Sequence, residues 1–339
     1  MAANDLANHT TLGVGGPAAR IVHAKTEEEL ISAVRAGDES NTPLLILGGG
    51  SNVLISDAGF SGTVIKVETT GNSFEIDACR GGTLTVSAGA DWDEFVQFTI
   101  EKGLANLESL SGIPGTVGGA PIQNIGAYDH EVSEVIARVR TFDRKLKEVK
   151  TFTASQCGFG YRSSIFKDEP ERYVILDVTF QLRLGEESLP IGYAELAKEL
   201  GAEIGARVAI TKVRDAVLKL RGAKGMLLGH GIKSAGSFFM NPILERSAAE
   251  KLPSEAPRWP MPDGRVKTSA AWLMEHAGVN KGDQLAGAQI SPKHVLALSN
   301  AGDATAKDLI ELARSAQEKV RAKFGIVLQS EVQLVGLSL

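Results

Sequence analysis

Cysteine is scarce in this chain. The two cysteines, Cys79 and Cys157, stand far apart, which excludes a disulfide framework and any site built on Cys-x-x-Cys spacing. No stretch of about 18 apolar residues occurs, so no transmembrane helix is expected. The opening MAANDLANHTTLGVGG has neither a basic nor an apolar region of the signal-peptide kind, and the chain reads as cytoplasmic. An excess of positive charge is also missing: 36 Lys and Arg face 41 Asp and Glu, a net charge of −5. A nucleic-acid surface is therefore not expected, and an anionic substrate must be held by local Arg and Lys. The six histidines are scattered without a His-Glu-x-x-His pattern, so no metal site is expected. A Walker A loop and a Gly-x-Ser-x-Gly elbow are missing too.

What is present is ordinary in bulk and unusual in detail. The 339 residues are 43% hydrophobic and 23% charged, which suits a soluble globular protein of two or three domains. The organising stretch is LSGIPGTVGGAPIQNIGAY, residues 110–128, with five glycines, two prolines and almost no charge. So much Gly and Pro fits neither helix nor strand. The backbone here is expected to be irregular and buried, and its N–H and C=O groups need partners. Either the stretch is a backbone cradle for a large cofactor, which glycine allows to approach closely, or it is a tightly packed turn. A second glycine run, Gly48-Gly49-Gly50-Ser51-Asn52, follows a short apolar strand. A Rossmann site would place such glycines between a strand and a helix, whereas Val53-Leu54-Ile55 after them is β-like. Successive N–H groups can still form an anion nest; a flexible β-turn is the alternative.

Hydrophobic periodicity places the other elements. Strands are expected near residues 19–24, 44–47, 63–67, 83–88, 135–142, 173–182 and 294–300. Helices are expected at 26–36, where Thr26 and Glu29 form a capping box, at 91–102, 193–200, 212–220 with Thr211 as N-cap, 269–277, and 305–324 with Thr305 and Asp308 at its start and Gly325 at its end. Residues 221–236 read as a low-structure run and 253–268 as a Pro-rich connector. A domain boundary is expected near 205–222. The final strand is expected over 326–335, with Ile326, Leu328, Val332 and Leu334 on one face and Glu331 at the centre of the other. Glu331 then lies either at a cleft wall or on a solvated sheet face. Arg162, between Tyr161 and Ser163, is either an anchored anion ligand or half of a structural ion pair. Ser237, between Gly236 and two phenylalanines, is expected to be sheltered.

Taken in order, NHTTL (8–12), LGGGSNVL (47–54), SGIPGTVGGA (111–120), QNIGAY (123–128), FGYRSSIF (159–166), GSFFMNP (236–242), AAWL (270–273) and SEVQLVG (330–336) resemble the UDP-N-acetylenolpyruvoylglucosamine reductases, the MurB flavoenzymes. The resemblance spans nearly the whole chain. It implies an α/β (α+β) fold: an FAD-binding PCMH, or vanillyl-alcohol-oxidase-type, pair of subdomains at 1–75 and 76–210, a substrate-binding domain at 211–325, and a C-terminal strand at 326–339 carrying Glu331. It implies non-covalent FAD, NADPH as co-substrate, and reduction of UDP-N-acetylenolpyruvoylglucosamine to UDP-N-acetylmuramate for peptidoglycan, by a monomer. Position by position, Ser237 matches the proton donor, Arg162 the carboxylate-binding residue, and Glu331 the third active-site group. Gly48, Gly49, Gly50, Ser51 and Asn52 match the diphosphate loop. Ile113, Pro114, Gly115, Gly118, Gly119 and Ala120 match the stretch along the flavin. Tyr193, Lys224 and Asn241 match substrate contacts, Tyr193 as in the type I form and Lys224 after a one-residue shift. One departure is that the family commonly has Val-Arg after the glutamate, and this chain has Val332-Gln333. Two rivals are a covalent flavin oxidase of the same fold, for which neither glycine run offers a histidine, and a non-catalytic FAD-binding regulator, which would need no proton donor.

Overall fold

In the computed structural model, residues 4–77, 79, 81–229 and 231–339 are described. The chain divides into two discontinuous compact units. One comprises Ala18–Gly50 and Ser61–Leu227, the other Met1–Pro17, Ser51–Phe60 and Leu228–Leu339. Among the described residues no helix is long and apolar enough to cross a membrane.

The first unit holds both glycine runs. Its smaller sheet has three strands in the order Ala18–Ala24, Phe60–Val67, Leu44–Leu47. Leu44–Leu47 runs parallel to the middle strand, with Leu47 opposite Lys66. The helix Glu27–Glu39 connects Ala18–Ala24 to Leu44–Leu47; its Thr26–Glu29 capping box is formed, and Leu30 and Val34 are buried in the core. The larger sheet is antiparallel, ordered Glu148–Thr153, Ile136–Asp143, Tyr173–Leu184, Gly81–Ser87, Asn72–Asp77. The helix Trp92–Glu101 starts at Asp91, whose carboxylate accepts the Glu94 N–H. It buries Trp92, Phe95 and Val96 against the larger sheet's Phe180. Two further helices, Ala194–Leu200 and Ile210–Ala223, close on each other through Leu196, Ala197, Val213 and Val217.

In the second unit, a four-stranded sheet is ordered Lys233–Ser237, Ala297–Asn300, Ala288–Ile290, Gln284–Leu285. The long helix Ala306–Phe324 and the helix Ala270–His276 supply its core, with Leu309, Ala313, Val320 and Leu273 fully buried. The helix stripe and both caps of Ala306–Phe324 fall where the periodicity predicts.

The structure corrects several expectations. The helix expected at 212–220 spans Ile210–Ala223 and starts after Ala209, not Thr211. Residues 221–236 are not all irregular: Lys233–Ser237 is a strand, although its sequence carries no apolar alternation, because Ala297–Asn300 offers it a ladder. The connector at 253–268 contains two strands, Arg258–Pro260 and Val266–Thr268, paired with each other. Pro260 is tolerated because its strand lies at the edge of the small sheet. The final strand is only Gln333–Val335, parallel to Val53–Ile55. Ahead of it, Ile326, Leu328 and Val332 are buried in alternation; this segment pairs through an antiparallel bridge of Ser330 with Phe239, in which the Met240 N–H donates to the Gln329 carbonyl at 3.0 Å and the Glu331 N–H to the Phe238 carbonyl at 2.8 Å.

Candidate functional site

The organising stretch is irregular, and apart from the exposed Ile122 its residues are buried or half-buried. Protein groups take up much of its backbone. Trp92 Nε1 donates to the Leu110 carbonyl at 3.0 Å. The N–H groups of Val117 and Gly118 donate to Ala90 and Ala88. Gly112, at φ +69°, is held on both sides of the residue: Asp93 accepts its N–H at 2.6 Å, and Arg221 Nε donates to its carbonyl at 3.1 Å. Arg214 grips the same Asp93 carboxylate at 2.7 and 2.8 Å. Burial works to raise the Asp93 carboxyl, but the Arg214 hydrogen bonds and the Gly112 N–H outweigh it, leaving it below the usual carboxylate range.

The two glycine runs meet backbone to backbone. A Cβ on Gly49 would lie 2.7 Å from Gly115 Cα, and one on Gly48 would lie 2.6 Å from Thr116 Oγ1. Gly50 sits at φ +67°. Gly119 differs, since a Cβ there would meet only Thr116 Oγ1, at 3.9 Å. Backbone packing thus requires glycine at Gly49, a Cβ on Gly48 would press on the Thr116 side chain alone, and Gly119 faces space that a flat ligand can use. The Lys66 ammonium donates to the Gly48 carbonyl. Together these features fit a dinucleotide cofactor laid on backbone.

Arg162 is anchored where the organising stretch ends. Its guanidinium donates to the carbonyls of Asn124 at 3.3 Å and Gly126 at 2.7 Å and lies against the Tyr161 ring. Its backbone is left-handed, φ +53°. The buried Asn124 ties the same region together, donating to Glu131 at 2.7 Å and to the Gly160 carbonyl at 3.1 Å. Tyr193 and Lys224 also come together: Lys224 pairs with Glu195, two residues after Tyr193, and Tyr193 packs edge-on to Tyr128 at 5.5 Å. Burial pushes the Tyr128 hydroxyl up to about 12.

Ser237 and Glu331 belong to the second unit, with Ser51, Asn52 and Asn241; Arg162 belongs to the first. The Glu331 N–H donates to the Phe238 carbonyl at 2.8 Å, next to Ser237, and Asn52 donates to the Glu331 carbonyl at 3.1 Å. Ser237 ends its strand half-buried, and its hydroxyl makes no hydrogen bond among the described residues. Asn241 accepts the Ala270 N–H at 2.9 Å, at the start of a helix. Residues that local patterns missed include Lys66, Asp93, Arg214, Asn124 and Glu195. Only Lys66 leaves a local signal, as a single charge in the apolar run Thr63-Val64-Ile65-Lys66-Val67.

Comparison with known proteins decides the family. A UDP-N-acetylenolpyruvoylglucosamine reductase from Cutibacterium acnes is 53% identical, over 98% of this chain and 90% of that protein. The chain belongs to the UDP-N-acetylenolpyruvoylglucosamine reductase family. A second reductase, from Thermobifida fusca, is 47% identical over 98% of this chain and 97% of its own length. The C-terminal domain profile of this reductase family matches residues 228–335. An FAD-binding domain profile matches residues 18–150, which contain both glycine runs. The crystal structure of the Thermus caldophilus reductase, MurB, superposes with a TM-score of 0.68 at 28% identity, covering 97% of each chain. The expected fold class, an FAD-binding α+β fold with a C-terminal reductase domain, stands.

Proposed function

We propose that this protein reduces UDP-N-acetylenolpyruvoylglucosamine to UDP-N-acetylmuramate with non-covalent FAD and NADPH, as a cytoplasmic monomer serving peptidoglycan synthesis. The observation that carries the reading is the backbone contact of Gly49 with Gly115, inside the region that matches an FAD-binding domain. FAD would be held by Gly48, Gly49, Gly50, Ser51 and Asn52 on the diphosphate side and by Ile113, Pro114, Gly115, Gly118, Gly119 and Ala120 along the ring. Bound FAD supplies the hydride relay from NADPH to the terminal carbon of the enolpyruvyl ether.

The chain's own residues do the remaining work. Arg162, its guanidinium steered by two carbonyls, binds the substrate carboxylate and draws charge toward it. Ser237 gives its hydroxyl proton to the neighbouring carbon as negative charge develops there. Glu331, hydrogen-bonded through its backbone beside Ser237, is the third active-site group. Tyr193, Lys224 and Asn241 contact the nucleotide sugar. Lys224, paired with Glu195, exchanges a carboxylate for the diphosphate when substrate binds.

The test is anaerobic absorbance at the flavin bands. NADPH bleaches the purified protein, and the enolpyruvyl nucleotide sugar restores the colour. A protein that neither contains nor takes up FAD overturns the reading. Recovery with oxygen alone, together with flavin that stays attached through acid denaturation, favours the covalent oxidase.

A further inference from the structure

We propose that Lys66 is a positioning residue for the cofactor diphosphate, aiming the backbone donors of the Gly48–Gly50 loop and placing a positive charge behind them. The inference rests on the FAD reading above. Lys66 interrupts an apolar strand in which Val64, Ile65 and Val67 are buried. Its side chain donates to the Gly48 carbonyl and forms no ion pair among the described residues. Glu68, two residues on, is engaged by His23 at 2.9 Å. Burial pulls the Lys66 ammonium below its ordinary value, against the smaller opposing pull of Glu68. A strand in contact with neutral backbone gains little from a half-buried cation, because the desolvation is not repaid by a neutral acceptor.

An anion on the loop supplies the missing compensation. Parallel pairing sets Lys66 opposite Leu47, where the chain leaves the strand for Gly48. A trans peptide points its C=O and its N–H in opposite directions. Fixing the Gly48 carbonyl on Lys66 therefore turns the Gly49 N–H away from Lys66. A hydrogen bond to the carbonyl also polarises the peptide and strengthens that N–H as a donor. Gly50, at φ +67°, continues the curved backbone in which successive N–H groups converge on an anion. Glycine packing fixes the opposite wall, since Gly49 is in contact with Gly115. Lys66 thus sets both the direction and the field of the loop without touching the cofactor.

Three variants separate charge from hydrogen bonding. Lys66→Arg keeps both, Lys66→Gln keeps a neutral donor, and Lys66→Met keeps neither. FAD affinity is read from the fluorescence released on diluting each holoprotein at low and high NaCl, and the diphosphate environment from ³¹P spectra of bound FAD. Lys66→Met is expected to hold FAD about tenfold to hundredfold more weakly. Lys66→Gln should fall between it and the wild type, with a flatter salt dependence in both neutral variants, and Lys66→Arg should restore binding. The ³¹P lines should move in the neutral variants while the flavin absorbance bands stay in place. Lys66→Gln and Lys66→Met that both match the wild type in affinity, salt slope and ³¹P lines overturn the proposal. So does a Lys66→Met loss that Lys66→Gln fully repairs with unchanged salt slope and ³¹P lines, since Lys66 would then be a simple carbonyl cap. A wild-type protein that binds no FAD is a different result, and it removes the functional reading itself.

Discussion

In the proposed mechanism the chemistry at Ser237 reduces to one proton. The residue lies half-buried at the end of a strand, beside the segment that carries Glu331. Ser237→Ala removes the proposed donor and leaves the two glycine runs untouched. Flavin bleaching by NADPH should proceed at the wild-type rate, and product formation should fall by about 10²–10⁴; stopped-flow absorbance reads both half-reactions separately. Turnover close to wild type would assign the proton to water or another group. Gly119 gives a complementary case on the cofactor side. A Cβ there meets no protein atom closer than 3.9 Å, so Gly119→Ala should leave thermal stability within about 1 kcal/mol. With the flavin ring lying along this stretch, as proposed, the same methyl group would block its approach, and the flavin content of the purified protein should drop. Full flavin occupancy in Gly119→Ala would move the ring away from this residue.

The elements show which local signals suffice and which do not. The helix Ala306–Phe324 was legible at both ends, since Thr305 and Asp308 reciprocally cap it and Gly325 ends it. Its third support was not legible: Asp57 accepts the N–H groups of Ala306 at 2.8 Å and Lys307 at 2.9 Å. Asp57→Ala is expected to cost about 1–2 kcal/mol, seen as a lower urea midpoint with an unchanged slope. The same distinction separates the two ends of the site. The glycine runs could be read from composition, because irregular buried backbone excludes most other residues. The Asp93–Arg214 clamp on Gly112 could not, because its members come from two helices and a loop distant in sequence. Arg214→Met leaves the Asp93 carboxylate without its guanidinium and is expected to cost about 1–3 kcal/mol. The alternating burial of Ile326, Leu328 and Val332 shows the reverse error. A period of two was present in the sequence, yet the regular strand covers Gln333–Val335, and the stretch before it pairs through a single bridge, Ser330 with Phe239.

Across the whole molecule, acid sensitivity should concentrate in the unit that carries the glycine runs. Asp143 there has a side chain with 0% exposure that meets Arg172 at 2.9 Å. It also accepts the N–H groups of Lys145 and Leu146 at 3.0 and 3.1 Å. Burial acts to raise its carboxyl, but the Arg172 hydrogen bond and the two N–H groups prevail and hold it below 3.8, its ordinary value. Asp93 is depressed for the same balance of reasons. A carboxyl depressed by folding binds protons more readily when unfolded. Its stabilisation is therefore complete above the unfolded value and disappears as pH falls through the lower folded value. Thermal unfolding between pH 6 and pH 3 should show a falling midpoint, with most of the loss below about pH 4. Asp143→Asn should start less stable at pH 7, because Arg172 loses its buried partner, and should lose less as the acid range is entered. If calorimetry resolves two transitions, the transition that carries flavin release should be the acid-sensitive one. An unchanged pH slope in Asp143→Asn would place the acid trigger on other carboxylates.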